Sequence, residues 1–103
     1  MMKIENEYNY SLLGEIYKVR VKIGKYPKGN NSIELYDLED GFPFAKSTVN
    51  LPGLERDEVA IKNYSENEGM LDFLVDNGIV HSPHRSERSG FVTVPVCKIK
   101  EDR

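Results

Sequence analysis

His81, His84 and Cys97 have the chemistry of metal ligands, and zinc takes nitrogen and sulfur donors of these kinds. Their spacing argues the other way. A His-x-x-His pair in a loop lacks the paired cysteines of structural zinc motifs, and Cys97, set among valines, reads as a small buried hydrophobe. No metal and no other cofactor is expected. Nucleophilic catalysis needs a cysteine or serine held beside a base, and nothing in the sequence carries His81 or His84 to Cys97. Glu66 and Glu68 are only two positions apart, so on a helix they diverge rather than converge as an acid and base pair. Gly24-Lys25-Tyr26-Pro27-Lys28-Gly29 lacks the spacing of a phosphate-binding loop and leads into a strand, whereas such a loop must open a helix. The expectation is a protein that performs no reaction.

Binding chemistry is better represented. Lys18, Arg20, Lys22, Lys25 and Lys28, with Tyr26 among them, can touch nucleic acid, but a formal net charge of -3 counts against a phosphate partner. That total hides a division along the chain. Residues 1–28 hold six bases against three acids, residues 29–76 three against eleven, and the remainder five against three. The acidic middle favours basic partners and solubility. Arg85 and Arg88, beside Ser86 and Ser89, can grip a carboxylate or phosphate through paired N–H bonds, or close internally onto an acidic helix start.

These residues must be positioned by a few short elements. The helix period is confined to Tyr64–Ile79, where Met70, Leu71, Phe73, Leu74 and Val75 share a broad face. Ser65 and Glu68 have the spacing of a capping box, and Asn77-Gly78 is a stop signal. Everything else reads as strand and turn. Tyr8–Leu13 suits a short strand or an arm, and from Glu15 to Ile23 apolar and basic residues alternate as in a half-buried strand. The turn formers of Gly24–Asn31 predict a hairpin to Ile33 and Leu35, with Glu34 facing the basic row. Asp40-Gly41 and Pro52-Gly53 predict two further turns, with a strand between them and a short one at Val59 and Ile61. His81–Gly90 reads as an exposed loop. Phe91–Ile99 reads as a strand with Val92, Val94 and Val96 on one face, at an edge or bulged because Pro95 has no N–H.

The expected fold is therefore α+β, a twisted antiparallel sheet or small open barrel of about five strands with one helix packed on it. A chain of 103 residues is one domain's worth, residues 1–103, with 1–7 flexible. No apolar run approaches the roughly 18 residues of a membrane span. The polar start has no signal-peptide pattern, and a lone cysteine suits a reducing compartment, so a cytoplasmic location without membrane contact is expected.

Three blocks carry a family resemblance: Ser47-Thr48-Val49-Asn50-Leu51-Pro52, Asn63-Tyr64-Ser65-Glu66-Asn67-Glu68-Gly69-Met70, and Arg88-Ser89-Gly90-Phe91-Val92-Thr93-Val94-Pro95-Val96-Cys97. They resemble a small uncharacterised domain family encoded by bacterial mobile elements, prophages and plasmids among them, over about residues 15–99. The resemblance implies no catalytic residue. Small acidic proteins of such elements often inhibit host defence, anti-CRISPR proteins included, so it implies a protein-binding module that docks on a nuclease effector. A nucleic-acid-binding accessory protein is the alternative. The partner surface expected from it is Tyr64, Glu66, Asn67, Glu68, Arg85 and Arg88, with the Arg85–Gly90 loop folded over Tyr64–Glu68 and Arg88 bonded to Glu66 or Glu68. The same contact would equally serve as an internal staple.

Overall fold

Period-two sequence becomes a run of antiparallel hairpins. In the computed structural model, which describes residues 3–100, β1 (Lys3–Leu12), β2 (Glu15–Lys25), β3 (Asn31–Asp37) and β4 (Pro43–Lys46) form a four-stranded sheet in chain order. β1 therefore takes in residues 3–7 of the segment expected to be flexible, whose first two residues lie outside the described ones. The second four-stranded sheet holds β5 (Thr48–Val49), β6 (Glu58–Ile61), β7 (Arg85–Ser89) and β8 (Val92–Lys98) in the order β5-β6-β8-β7. Buried Ser47 is the hinge between the two. Its N–H donates to the Ile33 carbonyl at 2.9 Å, and its carbonyl accepts from the Lys62 N–H at 2.8 Å, so the chain passes from one sheet to the other without an unpaired peptide.

Alternation decides which side chains go inside. Tyr10, Val19, Val21, Ile33 and Leu35 line the inner face of the first sheet and meet Val59, Ile61 and Cys97 of the second. The opposite face of the second sheet buries Ala60, Val94 and Val96 under Val49, Leu51, Leu54 and Tyr64. The turn expected within Gly24–Asn31 forms over Tyr26–Asn30, and those expected at Asp37–Gly41 and Pro52-Gly53 also form. More strands are present than about five, because the run after Phe42 is divided at Ser47 and a strand occupies part of the predicted loop.

The helix is shorter than its sequence pattern. A 3-10 turn at Ser65–Asn67 is followed by α1, only Met70–Asp76. No capping box forms, since Ser65 sits at φ 54° and Gly69, at φ 96°, breaks the helical path between them. Asn63 takes over the capping, its Oδ1 accepting the Leu71 N–H at 2.7 Å. The stop signal behaves as expected: Gly78 has φ 74°, its N–H reaches the Val75 carbonyl and that of Ile79 the Leu74 carbonyl, the paired bonds of a Schellman ending. Met70, Phe73 and Leu74 are buried, with Phe73 edge-on to Tyr8 and Tyr10.

Two expectations about the C-terminal third are corrected. Arg85–Ser89 is not a loop but the outer strand of a hairpin with β8, and the polar residues that hid its period face solvent on both sides. Nor is Pro95 on an edge strand or at a bulge, since β8 lies between β6 and β7 and its register with β7 runs unbroken through Ser86↔Pro95. Its missing N–H is tolerated because the ladder with β6 stops at Ala60↔Val96, one residue short of Pro95. Among the described residues no helix is long and apolar enough to cross a membrane.

Candidate functional site

The densest polar constellation is built around a carboxylate in an apolar strand. Glu58 opens β6 and is 3% exposed. Because β6 and β7 flank β8, the register Glu58↔Lys98 and Arg85↔Val96 puts Glu58 and Arg85 on the same sheet face. Arg85 donates from Nη2 to Oε1 at 2.7 Å and from Nε to Oε2 at 3.1 Å, a two-pronged grip. The Glu55 N–H adds a bond to Oε1 at 2.9 Å, and His84 Nε2 lies 2.6 Å from Oε2. Arg85 also pairs with Glu87. Held mainly by the Arg85 guanidinium against the opposing effect of burial, the Glu58 carboxyl is pushed down to about 2. Such a carboxylate is a poor proton acceptor; its chemistry is cohesion between strands.

His84 is thus brought to Glu58, not to Cys97. The Cys97 thiol is buried in the core between the sheets, and burial pushes it up to about 11. Among the described residues no group of three or more His, Cys, Asp or Glu side chains could hold a metal ion.

The six residues expected to form one surface are not brought together by an ion pair. Arg88 donates to the Gly90 carbonyl at 3.2 Å, while Glu66 pairs with Lys62 at 2.8 Å and Glu68 is exposed. The fold-over contact of Arg88 with Glu66 or Glu68 is therefore corrected. β8 holds Arg85–Ser89 straight, and strand geometry sends Arg85 and Arg88 to opposite faces. Arg85 does form a staple, but with Glu58. Tyr64 is half-buried against the smaller apolar cluster, and Asn67 is buried with its Nδ2 donating to the Lys46 carbonyl at 2.6 Å. These contacts separate the set by substitution. Asn67→Ala should cost about 1 to 2 kcal/mol by leaving the Lys46 carbonyl without its partner, and Arg88→Ala less than about 0.5 kcal/mol, both read from urea unfolding.

The other surface that pattern alone places is the outer face of the first sheet. Ile16, Lys18, Arg20 and Lys22 share this face of β2. As expected, Lys22 stands opposite Glu34, but its Nζ sits 5.6 Å from the Tyr36 ring centroid, and Glu34 turns to Lys46 at 3.9 Å. Lys18 is 3.7 Å from Glu7. Exposed pairs at these distances add little stability. Sequence reasoning missed the end of this face: Leu13 is 94% and Ile16 70% exposed. The only signal was Leu13-Gly14, a turn dipeptide whose apolar member has no core position.

Compared with known families, residues 20–103 match the family model described as Domain of unknown function (DUF4313). Neither a curated protein nor a solved structure gives a significant match.

Proposed function

This chain belongs to the DUF4313 family, and we propose that it acts by docking on another protein rather than by catalysis. The observation that supports this is apolar surface that folding does not use. Leu13, Ile16, Phe42 and Phe91 are 94%, 70%, 68% and 102% exposed. Single exposed apolar residues are ordinary, but Leu13 lies in the β1–β2 turn and Ile16 just beyond it, and grouped apolar residues mark interaction sites. The resemblance to mobile-element proteins makes a nuclease effector of host defence the partner to try first. The interleaved carboxylates Glu7 and Glu34 weaken the nucleic-acid alternative, since they oppose phosphates on the same sheet face.

The test is capture from host-cell lysate with the tagged protein, followed by addition of the purified chain to the captured protein. A stoichiometric partner retained by the wild type and lost with Leu13→Ser/Ile16→Ser, at unchanged melting temperature, is expected. Recovery of nucleic acid alone, released steeply by salt, would overturn the proposal in favour of the accessory-protein reading.

A further inference from the structure

The two sheets differ in what covers them. The second is buried on both faces, by the main core and by the smaller apolar cluster. The first is buried only on its inner face; outward it shows Glu7, Asn9, Ser11, Ile16, Lys18 and Arg20 as exposed side chains. Among the described side chains that face carries the cations Lys18, Arg20, Lys22 and Lys46 against the carboxylates Glu7 and Glu34. A local excess of positive charge thus sits on a chain whose formal net charge is -3. At its end the β1–β2 turn holds Leu13 at φ 52°. A two-residue turn asks for φ > 0 at this position, which suits asparagine or glycine and strains a leucine, and the side chain it displays is 94% exposed. Strain with no packing return points to a use outside the fold.

We infer that this open face is the docking surface, and that it takes an acidic protein segment carrying one bulky apolar side chain. Carboxylates of the partner meet Lys18, Arg20, Lys22 and Lys46, while its apolar group seats on Leu13 and Ile16. A peptide fits better than a nucleic acid on three counts. Glu7 and Glu34 would repel an evenly charged phosphate chain. The rings beside these cations are already engaged, Tyr36 by Lys22 and by donating to Glu34 at 3.2 Å, and Tyr26 by Lys46. Two aliphatic side chains offer no stacking platform for bases but do offer contact to a leucine or phenylalanine.

This inference rests on the protein-docking reading above, and its test uses defined probes. Fluorescently labelled acidic peptides bearing one phenylalanine, the same peptides with serine in its place, and an oligothymidylate of equal charge are titrated against the full chain. The phenylalanine peptide should bind best and weaken at least about ten-fold in Lys18→Glu/Arg20→Glu and on raising salt from about 50 to 200 mM. Ile16→Ser should remove only the advantage of phenylalanine over serine. Should the double variant unfold, Arg20→Gln carries the comparison. Equal binding by the charge variants, preference for the oligonucleotide, or no peptide binding overturns the inference. A lysate partner still captured by Lys18→Glu/Arg20→Glu would sink this surface while leaving protein docking intact; no captured protein with the wild type would sink both.

Discussion

Glu58→Gln is expected to lower the free energy of unfolding by about 2 to 4 kcal/mol near neutral pH. Glutamine keeps the shape but removes the charge, and its amide N–H groups would face the N–H groups of Arg85, which need acceptors. Truncating one partner leaves the other, only about a third exposed, with its best acceptor gone. The pH dependence has a definite sign. In the folded chain the carboxyl is lowered from its ordinary 4.5 to about 2, so the folded state binds the proton less readily than the unfolded chain. The stabilisation is complete above about pH 4.5 and is lost as pH falls through the interval down to about 2. Unfolding curves of wild type and variant should therefore lie far apart at neutral pH and converge in strong acid. A separation that stays constant across that range would show that Glu58 acts through packing alone. Arg85→Met should resemble Glu58→Gln, and Glu58→Leu/Arg85→Met should cost less than the sum of its two single changes, because no charge is then stranded.

That central pair also shows where sequence reasoning reaches its limit. Local periods and turn chemistry were legible: Tyr17–Ile23 alternates because a half-buried strand must, and Asn77-Gly78 ends a helix because a glycine accepts φ 74°. Arg85 was legible as an anion-gripping side chain, but its partner is 27 residues away in sequence and two strands across, a relation that no period encodes. β7 has the sequence of a loop for a related reason. An outer strand with solvent on both sides has no apolar face to alternate. The start of α1 differs from the sequence pattern because Ser65 and Glu68 have capping-box spacing, while the backbone turns at Gly69 and hands the capping to Asn63. Pro95 does not by itself place its strand at an edge, because a missing donor matters only where a neighbour asks for it, which depends on where the β6 ladder stops.

Leu74→Ala is the second large effect, expected at about 3 to 5 kcal/mol. Seven residues are too few to hold a helix in water by hydrogen bonding alone, so α1 exists because its buried face is packed. Leu74 is fully buried on that face, which it shares with buried Met70 and Phe73. Its carbonyl also accepts the N–H groups of Ile79 at 2.9 Å and Val80 at 3.3 Å. A cavity here therefore loosens the closing turn that delivers Ile79 and Val80, both fully buried, to the core between the sheets. Leu71 and Val75, partly buried on the flanks, give the comparison: Leu71→Ala or Val75→Ala should cost about 1 to 2 kcal/mol, since part of each side chain already meets water. Guanidinium unfolding at an unchanged slope would establish that stability, not compactness, has changed. If Leu74→Ala cost no more than its flanking neighbours, α1 would be an accessory on a self-sufficient pair of sheets. The greater loss at Leu74 would make it the brace that fixes how the first sheet's inner face meets the second.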